Sequence, residues 1–190
     1  CVAWLLSKDL GKKGITIKAA NRILQCQVGS SDVSVNMGKA DFSNKSVALI
    51  GDHDGGYVDF EDEKLGKGYF VNVGNAHLIF FVDDINEVSV KEDLVKYESH
   101  SYFPERINVS AVQINDNEVK QITYERGAGE TLSCGTAACA VYAICREYRN
   151  TKAPLIIHQA GGTLVLSANE NADIIMKGDT IFEYQDVISL

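Results

Sequence analysis

The chain has 190 residues, 26 of them acidic and 18 basic, for a formal net charge of −8. That length can hold a sizeable core, as one large domain or two small ones. Its scattered lysines and arginines argue against nucleic acid or an anionic membrane surface as partner, and no apolar run reaches the roughly 18 residues of a membrane span. A soluble cytoplasmic protein is the expectation. Five cysteines, at 1, 26, 134, 139 and 145, form no C-x-x-C pair. Their odd number and spacing speak against a disulfide framework and against a zinc site, so no metal is expected.

The sequence opens on Cys1 rather than Met, inside the apolar run Val2-Ala3-Trp4-Leu5-Leu6. The run is too short for a signal peptide and reads as the end of a helix, 1–7, in a longer chain. Short strands follow at 14–18, 23–28, 31–36, 47–51, 69–73, 77–82, 109–115, 118–124, 155–159, 163–167, 173–177 and 181–184, marked by alternating apolar residues. Asn115-Asp116-Asn117 and Ala160-Gly161-Gly162 supply hairpin turns. Between 37 and 68 the chain is most loop-like, with a domain boundary expected near residue 43. A second helix is expected over 90–99, where Val90, Leu94, Val95 and Tyr97 alternate with charges. The third, 136–148, is apolar nearly all round, so other structure must enclose it. The class is therefore α+β, a sheet curled around a central helix.

"ERGAGETLSCGTAACA", residues 125–140, places Cys134 at the start of that enclosed helix. Unpaired N–H groups and the helix dipole favour an anion there, and a thiol in such a setting has its pKa lowered from about 8.5. The plainer alternative is a small hydrophobe at the end of a core helix. Cys26, Cys139 and Cys145 read as buried packing. Glu125 and Arg126 follow a strand and suit the ammonium and carboxylate of an amino acid, although a surface pair at a strand end explains the same letters. Asn75 offers a donor and an acceptor, and His77 can govern a neighbour's protonation; a turn Asn and a satisfied strand His explain the same letters and are the reading favoured without further context. Asn108 is uninformative alone. The glycines form no nucleotide loop, because no G-x-x-x-x-G-K-[ST] occurs.

Five segments in order carry a family resemblance: "VNMG" at 35–38, "VNVGNAHLIFFVDD" at 71–84, "ESHSYFPERINVSAVQI" at 98–114, "TYERGAGETLSCGTAACA" at 123–140 and "GDTIFEYQDVISL" at 178–190. Together they resemble diaminopimelate epimerase, which interconverts LL- and meso-diaminopimelate without a cofactor. The resemblance implies two pseudo-symmetric domains, each a sheet wrapped around a central helix, with substrate between them. Residues 1–42 plus 179–190 would be a remnant of the first domain and 43–178 the complete second. It implies catalysis by two cysteines facing opposite sides of the α-carbon, one removing a proton as thiolate and the other delivering one as thiol.

Cys134 matches the second-domain cysteine of that pair. Its partner belongs to a Cys-Gly-Asn-Gly-x-Arg-Cys segment, of which Cys1 matches only the last cysteine. This chain alone is therefore expected not to epimerise. By resemblance His77 and Glu125 assist the thiols, while Asn75, Asn108, Glu125 and Arg126 hold the substrate's polar groups. Gly135 and Thr136 present N–H groups to the α-carboxylate, and Tyr184 matches a tyrosine of dimer contacts, so a homodimer is implied. Ala76 stands where the family usually has Pro, and Ala137 where it has Gly. Three other readings remain open: a racemase for another amino acid such as proline, a non-catalytic ligand-binding module, and a cysteine hydrolase.

Overall fold

The structure is a computed structural model that describes residues 1–19, 22–51, 53, 55–62, 64–151 and 154–181. Helix α1 (Val2–Leu10) leads into strands β1 (Gly14–Ala19), β2 (Arg22–Val28) and β3 (Asp32–Gly38). Next come β4 (Tyr57–Asp59), β5 (Lys67–Asn72) and β6 (Ala76–Phe81), then a π-helical turn (Val90–Leu94) that runs into α2 (Val95–Glu98). Strands β7 (Asn108–Asn115), β8 (Glu118–Glu125) and β9 (Gly129–Thr131) precede α3 (Gly135–Tyr148). The described chain closes with β10 (Leu155–Gln159), β11 (Gly162–Ala168) and β12 (Ile174–Asp179).

One sheet joins the strands in the order β1-β2-β3-β12-β11-β10-β8-β7-β6-β5-β4, with β9 added on β8. The β10–β8 and β6–β7 pairs are parallel and the other pairs antiparallel. Beyond β3 the chain returns to β5, where Asp41 and Asn72 exchange two backbone hydrogen bonds of 2.8 Å. That bridge closes the path from β3 round to β5 into a ring of strands about α3.

The ring explains the composition of α3. Ala137 to Cys145 is buried without a break, packed against Val71, Val73, Ile79, Val112, Leu155, Ile157 and Leu166. Alanine side chains keep the helix slender and cost no rotamer entropy, so strands approach it on every side. At its far end Asn150 adopts φ 50°, and the N–H groups of Arg149 and Thr151 both donate to Cys145 C=O, which stops the helix.

Strands β5 to β7 are buried on both faces, as the unbroken apolar run Leu78-Ile79-Phe80 requires. Val71, Val73, Ile79 and Val112 face α3, whereas Phe70, Leu78, Phe80, Val109 and Ala111 meet Leu94, Tyr97 and Phe103 of the α2 layer. A third cluster, Ala3, Ile15, Cys26, Val28 and Val33, joins α1 to the first strands. Burying each Val, Leu, Ile or Phe side chain of these clusters contributes about 1.5–3 kcal/mol.

Three local expectations are corrected. Residues 47–51 form no strand: Asn44–Val47 is a 3-10 turn capped by Ser43, and Ala48 turns left-handed at φ 52°. Val47 and Leu49 are buried as their spacing predicts, but from a turn rather than a ladder. The helix expected over 90–99 divides into the π-turn and α2. Within the loop-like stretch 37–68 the chain forms β4. The final strand expected at 181–184, and Tyr184 with it, lies outside the described residues beyond Ile181.

Candidate active site

The β5–β6 turn, the start of β7, the end of β8 and the first turn of α3 meet at one end of the ring. Gly74 sits at φ 111° with the Arg22 guanidinium against it, where any side chain would collide. Arg22 reaches across to donate to the carbonyls of Val73 (2.7 Å) and Met37. This tight turn aims Asn75 and His77 at α3.

His77 is fully buried. Its Nε2 lies 3.0 Å from Asn75 Oδ1 and 3.1 Å from Thr136 Oγ1. Because Oδ1 only accepts, the ring hydrogen is on Nε2, shared between Asn75 Oδ1 and Thr136 Oγ1, and Nδ1 is left a buried lone pair without a partner. Burial, with the Arg126 charge adding to it, depresses the His77 pKa from 6.5 to about 3, so the ring is neutral.

Cys134 is the N-cap of α3, in extended backbone (φ −132°, ψ 106°). The residue is 6% exposed and its thiol lies 3.5 Å from Thr136 Oγ1, so His77, Thr136 and Cys134 form a hydrogen-bonded line. Burial pushes the thiol above its ordinary pKa of 9.0, and Glu125 pushes the same way. The Thr136 hydroxyl and the Ala137 N–H pull it down but do not prevail. The expectation that the helix start would lower this pKa is therefore corrected: desolvation outweighs the N-terminal donors.

Glu125 ends β8 and accepts the Thr131 hydroxyl at 2.6 Å across the β8–β9 pair. Asn108, opposite His77 in the parallel β6–β7 ladder, donates to Ala76 C=O (2.7 Å) and accepts from Arg126 N–H (3.0 Å). The exposed Arg126 guanidinium lies back on the carbonyls of Glu105 (2.9 Å) and Arg106 (3.3 Å). Gly135 and Thr136 are the first two residues of α3, so their N–H groups lack helical acceptors. Asn75, His77, Glu125, Gly135 and Thr136 thus gather with Cys134 at the start of α3, Asn108 lies beside His77, and the Arg126 guanidinium is turned onto the 105–106 carbonyls.

Sequence reasoning passed over Glu98. Almost wholly buried in α2, it pairs with Arg106 (Nε to Oε2, 3.0 Å) and accepts from Gly127 N–H (3.3 Å), tying the β8–β9 turn that carries Arg126 to the loop on which its guanidinium rests. Only its helical register with buried Leu94 could have signalled this. Gln159 was also missed; its amide contacts the Cys134 backbone. Among the described residues no group of three His, Cys, Asp or Glu side chains is placed to hold a metal ion. No described helix is long and apolar enough to cross a membrane. A wider cavity of about 240 Å³, lined by Lys39, Phe42, Tyr142 and Arg146, adjoins the opposite end of α3.

Solved structures place this fold among epimerase and phenazine-biosynthesis PhzF-type proteins. A Predicted Epimerase, PA4716 from Pseudomonas aeruginosa, superposes with TM-score 0.63 at 18% identity, covering 93% of this chain and 68% of its own. A Putative Phenazine Biosynthesis PhzC/PhzF Protein from Clostridium difficile gives 0.63 at 14%, covering 99% and 70%. Sequence narrows the class. The family model described as Diaminopimelate epimerase matches residues 69–183. The diaminopimelate epimerase of Wolbachia sp. subsp. Drosophila simulans is 37% identical over 187 residues, spanning 96% of this chain and 70% of the relative. That of Pelagibacter ubique is 37% identical over 185 residues, spanning 94% and 68%. The chain belongs to the diaminopimelate epimerase family, and so to the isomerases.

Proposed function

We propose that the protein serves the epimerisation of LL-diaminopimelate to meso-diaminopimelate, for lysine and cell-wall precursor synthesis, by proton transfer between two thiols, one of them Cys134. The observation that carries this is the line from His77 through Thr136 to the Cys134 thiol at the start of α3, in a member of this family. The α-carboxylate docks on the N–H groups of Gly135 and Thr136, where the helix dipole also offsets charge developing at the α-carbon. Glu125 and Arg126 receive the substrate's ammonium and carboxylate groups, with Asn75 and Asn108 completing the polar frame.

Burial and Glu125 keep Cys134 a thiol at neutral pH, which suits it to deliver a proton. A thiolate on the opposite face of the α-carbon removes the first proton, and the roles exchange in the reverse direction. No other cysteine here suits that second role. Cys1 is exposed beside α1, Cys26 is buried beneath it, and Cys139 and Cys145 are sealed inside α3. The second thiol in this reading is not among these five cysteines, and these 190 residues alone do not epimerise. In this reading 1–42 with 179–190 belong to a first domain and 43–178 to a second, and the working form is a cytoplasmic homodimer.

The test is α-proton exchange on LL-diaminopimelate in deuterated water, using protein that carries both thiols, its Cys134→Ser variant and the 190-residue chain. Exchange with inversion in the first and its loss in the other two supports the reading. No exchange by the reduced two-thiol protein sinks it and leaves a binding module or another substrate.

A further inference from the structure

A thiol that must meet an α-carbon within a fraction of an ångström needs a fixed backbone, yet Cys134 lies where a loop turns into a helix. Gln159, at the end of β10, supplies the fixing contacts. Its Oε1 accepts from Cys134 N–H (2.8 Å) and from the Ser133 hydroxyl (2.7 Å). Its Nε2 donates to Cys134 C=O (3.1 Å) and to Gln121 Oε1 (3.0 Å). Two donors and two acceptor sites are all that a glutamine amide has, and each is used.

The support continues inward. Gln121 Nε2 donates to Thr123 Oγ1 (3.1 Å) and Ser110 Oγ (3.4 Å), and those two hydroxyls share a hydrogen bond of 2.9 Å. Ser110, Gln121 and Thr123 are all buried on β7 and β8. From behind, the β10–β11 turn presses on the same loop. Gly161 N–H donates to Leu132 C=O at 2.6 Å, and a Cβ on Gly161 would crowd that carbonyl and Ser133.

We propose that Gln159 is a positioning residue for Cys134, its amide pairing with both backbone groups of that residue as a neighbouring strand would. The proposal rests on the acid–base role of Cys134 given above. With its own N–H and C=O engaged, Cys134 holds its thiol beside Thr136 and Ala137. The N–H groups left for a carboxylate are then those of the first turn of α3. An apolar side chain of similar size would fill the space without setting the orientation, which is why a buried polar chain runs from β7 to this loop.

The decisive variant is Gln159→Met, which keeps length and approximate volume while removing the four hydrogen bonds. The readout is the pH profile of iodoacetamide alkylation at Cys134, followed on its own peptide by mass spectrometry so that Cys1 does not contribute. Without the clamp the thiol drifts from the donors that oppose its burial, and the midpoint should rise by about one pH unit, a change of about tenfold in the thiolate fraction. In protein carrying both thiols, kcat should fall with KM little changed. Gln121→Leu, one step further from the thiol, should shift the midpoint in the same direction by less. An unmoved midpoint in folded Gln159→Met overturns the proposal; should that variant fail to fold, an unmoved midpoint in Gln121→Leu does so. Alkylation does not require turnover. A shifted profile in a protein whose two-thiol form exchanges no α-proton keeps the clamp and rejects the epimerase reading.

Discussion

Cys134 and Cys139 occupy one helix a little over a turn apart, and their surroundings separate them completely. Cys134 stands at the mouth of the ring, where Thr136, Ala137 and Glu125 all act on its thiol. Cys139 is walled in, and burial pushes its thiol up to about 12, with the Arg22 charge only partly opposing. Cys145, further along, also reaches about 12 by burial. The two inner cysteines behave as small apolar fillers, while the outer one keeps polar neighbours that govern its proton. Position along the helix, rather than residue type, decides which thiol keeps polar neighbours.

The sharpest way to break this contrast is to make the same change at both places. Cys134→Ser should lower α-proton exchange by roughly 10²–10⁴-fold in protein with both thiols, the usual worth of a positioned acid–base group. Cys139→Ser should leave exchange near its starting value and instead destabilise the fold by about 1–3 kcal/mol, through a hydroxyl buried without a partner. Exchange rates set beside urea unfolding curves separate the two effects. A similar loss of exchange from Cys139→Ser would erase the distinction.

Packing around the inner cysteines should be the next most sensitive feature. Ile144→Ala, fully buried in α3, is expected to cost about 2–5 kcal/mol in urea unfolding. Acid should expose the buried His77. Its pKa is 6.5 when unfolded and about 3 when folded, so the unfolded chain binds the proton first. Stability is complete above pH 6.5 and falls as pH drops toward 3. His77→Gln should flatten that part of the profile, checked by unfolding curves at pH 7, 5 and 4. Smallest of all, Thr136→Val removes one hydroxyl beside Cys134 and should raise its alkylation midpoint by no more than about one unit, the worth of a single hydrogen bond.

Much of the mouth is legible in the sequence because composition alone demands it. An apolar helix needs a surrounding sheet, and a small-residue loop before it leaves room for a ligand. The hairpin turns and the doubly buried strand around Leu78-Ile79-Phe80 also follow from pattern. Other features are hidden for physical reasons. In β8 the inward residues are Val119, Gln121 and Thr123, so polar side chains stand where alternation leads one to expect apolar ones. By type alone Gln121 and Thr123 read as a wet face, and Gln159 as an ordinary strand end. Val47 and Leu49 have strand spacing because a 3-10 turn can bury the same two side chains. The direction of the Cys134 pKa shift depends on how deeply the thiol is buried, which no local pattern reports.

Among the described residues the ring about α3 is stitched by one pair of backbone hydrogen bonds, between Asp41 and Asn72, with the Arg22 guanidinium bridging the carbonyls of Met37 and Val73 beside it. A cylinder fastened along so short a seam is a garment with few buttons, and it opens there first. Native-state hydrogen exchange should find the amides of Asp41 and Asn72 released at lower free energy than those of Ile79 or Val112 in the neighbouring ladders. The helix that presents Cys134 would then be reached from outside through this seam and not through the site itself.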